Sequence, residues 1–190
     1  MVITGNPGVG KHTSAKVIAE RIDAEMIDIN EVAIDNNATG RKTDLGLDVD
    51  VKRLVSLIEK LLKAKRNLVI VGHLAPYVLK PAGINLVAVL RRSPYELEKT
   101  LKKRGYSVNK VRENVASEIL GTSFYDSLKT FGKRKVAEFD TTDKTPKETA
   151  DEILAALQKK PKPKSKSKLI GIDWLNLVSE KGDMRRFFKY

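Results

Sequence analysis

The chain contains no cysteine, which excludes disulfides and thiolate metal sites and leaves no sign of an oxidising compartment. Histidine is nearly absent: His12 and His73 are the only two, too few for a histidine-rich metal centre. No apolar run approaches the roughly 20 residues of a membrane-spanning helix. Met1 leads directly into an apolar strand, so no leader is expected. A cytoplasmic protein with no membrane partner is therefore expected. Acidic residues are in deficit, 24 against 36 Lys and Arg, for a net charge of +12. The excess is uneven. Residues 1–158 carry a net +5, whereas residues 159–190 carry 10 basic and 3 acidic side chains, a net +7. Such a basic end suits either a polyanionic partner such as RNA or plain solvation.

With 190 residues, 41% of them hydrophobic and 32% charged, the chain is long enough for one principal domain with a sizeable core. It is organised around Gly5-Asn6-Pro7-Gly8-Val9-Gly10-Lys11-His12-Thr13. Met1 to Thr4 reads as a short buried strand, and Thr13 to Ile22 as a helix with Ala15, Ile18, Ala19 and Ile22 on one face. Strand, glycine-rich turn and helix is the setting a phosphate-binding loop needs. Gly8 and Gly10 let successive N–H groups converge on phosphate oxygens, the helix N-terminus favours negative charge, and Lys11 reaches the β- and γ-phosphates. His12 stands where a hydroxyl usually follows the lysine, and Thr13 comes next. That G-K-x-T order resembles nucleotide kinases of the adenylate kinase type, and not GTPases or motor ATPases.

Further along, Glu25 to Ile29 reads as a second strand. Asn30 to Asp50 is a polar stretch with little periodicity beyond a short helix at Glu31 to Ile34, and its position fits an acceptor-binding flap. A helix over Val51 to Leu62 precedes a continuous buried strand, Asn67 to Gly72, which delivers His73 at its carboxyl end. Ile84 to Leu90 is a similar strand ending in Arg91-Arg92. Ser93, Pro94 and Glu96 predict a capped start for the helix Tyr95 to Lys103, closed by Arg104-Gly105. Val108 to Lys129 reads as one long helix interrupted near Gly121. Lys135 to Phe139 is the last strand, and Thr145, Pro146 and Glu148 supply a capping box for a final helix to Leu157. Five strands alternating with helices imply an α/β domain with a parallel sheet covered on both faces. Residues 159–168 lack any apolar side chain and read as a basic linker. Beyond them Trp174 and Val178 suggest a short helix capped by Asp173 and stopped by Gly182, in an aromatic tail (169–190) that docks on its own domain or on a partner.

The order of motifs resembles the adenylate kinase isoenzyme 6 family, a nuclear and archaeal group also described as ribosome-assembly ATPases. The resemblance is carried by the loop, Gly72-His73, Val89-Leu90-Arg91, Arg104-Gly105-Tyr106, Glu113-Asn114-Val115, Glu118-Ile119 and Asp140-Thr141-Thr142. It covers residues 1–158, with a short likeness to archaeal members at Gly171-Ile172-Asp173-Trp174. It implies a P-loop nucleoside monophosphate kinase fold, phosphoryl transfer from ATP to AMP with Mg²⁺, an ATPase activity, and a role in small ribosomal subunit maturation through a ribosomal protein and rRNA. A monomer is expected. Carried over, Gly8, Gly10, Lys11, His12 and Thr13 would hold ATP, with Thr13 meeting Mg²⁺ directly or through water. Residues 28–51 would be the monophosphate flap and 103–113 the lid, with Arg104 over the adenine or the transferring phosphoryl. Lys11, Arg104 and His73 are the catalytic candidates, and Arg91 is a candidate ligand for substrate phosphate. The family's acid-x-His pattern has Val71 in place of the acid, which weakens the metal–water network or moves it to Asp28 or Glu31. Two alternatives stand beside the kinase: an ATP-switched assembly factor that grips its partner through the tail, and a kinase for another small acceptor.

Overall fold

The structure is a computed structural model that describes residues 1–43, 46–158 and 171–188; the expected linker 159–168 lies outside them. In chain order, β1 (Val2–Gly5) runs into the glycine-rich loop and α1 (Lys11–Arg21), and β2 (Glu25–Asp28) into α2 (Ile29–Asp35). The antiparallel pair β3 (Thr39–Thr43) and β4 (Gly46–Val49) then leads to α3 (Val51–Ala64) and β5 (Leu68–Val71). The one-turn α4 (Ala75–Val78) precedes β6 (Val87–Arg91), followed by α5 (Pro94–Lys103), α6 (Val108–Ile119) and α7 (Thr122–Phe131). β7 (Val136–Asp140), α8 (Pro146–Gln158), α9 (Trp174–Glu180) and α10 (Met184–Phe187) complete the described residues.

The expected five-stranded parallel sheet is present, in the order β2-β5-β1-β6-β7. Its strands are apolar on both faces, and the two-residue alternation decides which layer each side chain joins. Ile3, Val69, Val71, Ala88 and Leu90 pack with α1, α5, α6 and α8. Val2, Ile70, Val87 and Val89 face the opposite way, against α2, α3, α4 and α7. Because β1 lies between β5 and β6, the chain reverses its direction of winding there, and a crevice opens above the carboxyl ends of these strands.

Local signals explain most boundaries. Thr145 and Glu148 form the expected capping box: the Glu148 carboxylate accepts from the Thr145 N–H at 2.8 Å, and the Thr145 hydroxyl accepts from the Glu148 N–H at 3.2 Å. Ser93 does not cap α5 with its side chain; Pro94 starts the helix, and the Ser93 N–H donates to the Thr142 hydroxyl at 2.8 Å. The interruption expected near Gly121 is present and divides the helix from Val108 into two, at a residue whose φ of +68° favours glycine. The β3–β4 hairpin corrects the reading of residues 30–50 as irregular. β3 has no apolar residue, and the alternation of Leu45, Leu47 and Val49 toward β4 is short and sits among Gly, Asp and Asn.

The tail docks on its own domain. The Asp173 carboxylate caps α9 by accepting from the Asn176 N–H at 2.9 Å. Val178 and Phe187 are buried in the layer containing Leu97, Leu101, Val111, Val115 and Ile119. The Phe187 ring meets Tyr95 edge-on at 5.4 Å, and the Tyr95 hydroxyl donates to Asp183 at 2.8 Å. No helix among the described residues is long and apolar enough to cross a membrane.

Candidate active site

The carboxyl edge of the sheet gathers the candidate chemistry. β1 hands its chain to the loop at Gly5, and the loop re-enters helix at Lys11, two residues earlier than the periodicity predicts. Gly10 is the N-cap of α1, in left-handed conformation at φ +92°. Gly8 has φ +90°, and a Cβ there would lie 2.8 Å from Leu97 Cδ1. Both positions therefore require glycine, one for its backbone conformation and one for packing as well. The Thr141 hydroxyl bridges the carbonyls of Val9 and Arg91, both at 3.0 Å, and so ties the loop to the strand ends beneath it.

Lys11 is buried, and its Nζ donates to the Asn6 carbonyl at 2.9 Å. Desolvation lowers its pKa to about 8; Asp28 and Glu118 act to raise it, and Arg104 to lower it. Asp28 and Arg104 thus each act on Lys11, although Arg104 comes from the distant turn after α5. The side chain of Arg104 is exposed at the C-cap of that helix. Next to it the Lys110 ammonium sits 4.6 Å over the Tyr106 ring, at the start of α6.

Asp28 stands next to Val71. In the parallel register Asp28 is the partner of Val71, so β2 delivers a carboxylate beside the position where β5 has none. One Asp28 oxygen caps α2 by accepting from the Asn30 N–H at 2.8 Å. The other lies 2.6 Å from His12 Nε2. Burial pushes the Asp28 carboxyl up, but His12 and the α2 N–H groups outweigh it and hold it below the usual range. Glu31, the other carboxylate considered, is exposed on α2. His73 is open to solvent on one side, yet desolvation by the cleft and the charge on Lys11 push its imidazole down to about 4. It is therefore neutral near pH 7.

Among the described residues no group of three or more His, Asp or Glu side chains forms a metal cluster. Mg²⁺ in nucleotide sites is held mostly by phosphates and water, with one or two protein ligands. The exposed Thr13 hydroxyl, now donating to the Gly10 carbonyl at 2.8 Å, and the buried Asp28 carboxylate fit such a role.

Arg91 is a correction. It was expected to offer its guanidinium to substrate phosphate, but it is only 2% exposed. Its Nε donates to Glu118 Oε1 at 2.6 Å, one terminal nitrogen donates to the Glu118 carbonyl at 2.7 Å, and the other to the Glu138 carboxylate. Three of its five N–H donors are committed within the protein, and burial keeps the guanidinium from an incoming phosphate. The partners Asn6 and Glu118 were not identified as site residues. Asn6 Nδ2 donates to Glu118 Oε2 at 2.7 Å, and Asn6 Oδ1 accepts from Ser117 and Ser123. A signal did exist. Glu118 falls on the apolar stripe of Val111, Val115 and Ile119, where an acid has to find buried donors.

Comparison with known proteins places this site in a family. A family profile described as an AAA domain matches residues 1–121. Proteins named "Putative adenylate kinase" are 36% identical over 95% of this chain and 93% of theirs in Pyrococcus abyssi, and 33% identical over 92% of each in Methanocaldococcus jannaschii. Among solved structures, a shikimate kinase from Bacteroides thetaiotaomicron covers 83% of this chain and 97% of its own at TM-score 0.56 and 15% identity. A gluconokinase from Sinorhizobium meliloti covers 82% and 89% at TM-score 0.53 and 18% identity. These two show a common P-loop kinase fold. The extent of the archaeal matches, with the loop and the sheet order, establishes that the chain belongs to the adenylate kinase family of archaeal P-loop kinases represented by those proteins.

Proposed function

We propose that the protein transfers the γ-phosphoryl group of ATP to AMP, giving two ADP. The observation that carries this reading is the meeting of the Gly8–Lys11 loop and Asp28 at the carboxyl ends of the strands, with Arg104 acting on Lys11 and α2, β3 and β4 inserted between β2 and α3. Phosphoryl transfer requires positioning and charge stabilisation with little covalent chemistry from the protein. Backbone N–H groups of the loop and the N-terminus of α1 would take the phosphates of ATP. Lys11 would exchange the Asn6 carbonyl for phosphate oxygens and regain a full positive charge. Arg104, carried on a turn, would close over the triphosphate and offset charge as it develops. Neutral His73 would orient water or an acceptor oxygen by hydrogen bonding, with no proton gained. Mg²⁺, held by Thr13 and Asp28 directly or through water, would supply charge neutralisation between the phosphates when bound. The flap, residues 28–51, would receive AMP; support for AMP as the acceptor comes from the names of the archaeal relatives.

Coupled measurement of ADP formation tests this. Turnover should require AMP and be abolished in Lys11→Ala. ADP released from ATP at the same rate without AMP would mean an ATPase, and turnover with another acceptor in a substrate panel would mean a different small-molecule kinase. A second reading follows from the narrower likeness to the isoenzyme 6 family: an ATP-switched factor that binds a small-subunit ribosomal protein or rRNA. The charge distribution favours it, since the last 32 residues hold more than half of the net +12. The tail's aromatic residues do not add to it, because Phe187 is buried on the protein's own domain.

A further inference from the structure

We propose that the C-terminal segment is a working part of the nucleotide site, with Trp174 positioning the phosphate loop through Glu118 and Asn6. The inference rests on the loop being an ATP site, as argued above, and adds a residue pair that couples the tail to it. Glu118 is fully buried and lies between the two. Its Oε2 accepts from Asn6 Nδ2 at 2.7 Å, inside the loop. Its Oε1 accepts three N–H groups: Arg91 Nε at 2.6 Å, the Arg92 backbone at 3.1 Å and Trp174 Nε1 at 3.1 Å. A second strut runs in parallel, in which the Ile172 N–H donates to Glu138 at 3.0 Å and Glu138 pairs with Arg91. The tail thus contributes two donors to a network whose other end fixes a loop residue.

The physical consequence follows from the accounting of donors. A buried carboxylate is held ionised by the donors around it, and burial alone pushes Glu118 toward the protonated form. Removing the indole N–H weakens that compensation and frees the carboxylate to turn. Asn6 Nδ2 then loses its buried acceptor, and the amide is held only through Oδ1, by Ser117 and Ser123. The Asn6 carbonyl is also the resting partner of the Lys11 ammonium, so its placement and that of the neighbouring loop N–H groups change together. Preorganised donors are what give such a loop its affinity for phosphate.

ATP titration of the full chain by calorimetry, with thermal melting in parallel, tests the coupling. Trp174→Phe keeps an aromatic ring in the docked tail and removes only the N–H. It should weaken ATP binding roughly fivefold to tenfold, the loss of one hydrogen bond to a charged group felt through the network. In an Asn6→Ala background the same substitution should have little further effect, because the path is already cut. Val178→Ala, which loosens tail packing without touching the network, should lower the melting temperature and leave ATP affinity as in wild type. Wild-type affinity in Trp174→Phe, an equal loss in both backgrounds, or a loss in Val178→Ala that tracks its stability would each overturn the proposal. A wild-type chain that fails to bind ATP would overturn the ATP-site reading itself, and is distinguished by the first titration.

Discussion

The ammonium of Lys11 is buried at the floor of the cleft with its pKa lowered to about 8 by desolvation, so its protonation is linked to phosphate binding. Anionic phosphates favour the charged form. Between about pH 8 and 10.5 the free protein holds Lys11 largely neutral, and ATP binding should take up a proton there. Calorimetry in buffers of different ionisation enthalpy should detect the uptake in wild type and not in Lys11→Met. Affinity should fall as pH rises through about 8. His73 behaves differently. Its folded pKa of about 4 lies below the ordinary 6.5, so the unfolded chain binds the extra proton first as pH falls. Stability contributed by neutral His73 is present above about 6.5 and is lost toward 4, and His73→Gln should flatten the urea-midpoint profile over that window. At Arg91 the two readings part on what they predict. Arg91→Ala leaves Glu118 and Glu138 unpaired and should cost about 3–5 kcal/mol in denaturant unfolding, whereas a phosphate ligand would raise KM with little change in stability.

Among the secondary elements, α9 and α10 are short helices held by what they cover. Phe187 packs edge-on against Tyr95 in the buried layer that also contains Leu101, and Phe187→Ala should cost about 3 kcal/mol in urea unfolding. Removing the tail would uncover Val111, Val115 and Ile119 in α6. Truncation should therefore lower stability, and a truncated chain is a poor test of partner capture alone. α8 shows the opposite case of an element specified locally. Thr145 and Glu148 close its first turn without tertiary help, and Thr145→Ala should cost about 1 kcal/mol.

For the whole molecule the charge is the clearest lever. Six lysines lie between residues 159 and 168. Replacing them with serine should weaken RNA binding and flatten its salt dependence, while AMP-dependent ADP formation stays at the wild-type rate. Filter binding across a salt series, read beside the coupled assay, separates the two activities. Unchanged RNA affinity would remove the charge run as support for the second reading.

The five strands of the parallel sheet, the phosphate loop, the caps at Asp173 and Thr145 and the break at Gly121 were legible in the sequence. Each rests on neighbours in the chain: a β-branched run, a glycine spacing, a side chain within reach of a backbone N–H. The β3–β4 hairpin was not, because β3 is polar throughout and the alternation of Leu45, Leu47 and Val49 around β4 is short and set among Gly and Asp residues that suggest a loop. Nor was the fate of Arg91. An arginine at the carboxyl end of a core strand looks the same in sequence whether it meets a substrate or two buried acids from α6 and β7. Asp28 beside Val71, and Trp174 joined to Asn6 through Glu118, are likewise settled by strand register and by a tail folding back across more than a hundred residues. Local sequence determines the conformation of each segment, but which charges share a low-dielectric interior depends on contacts between segments that only the folded sheet brings together.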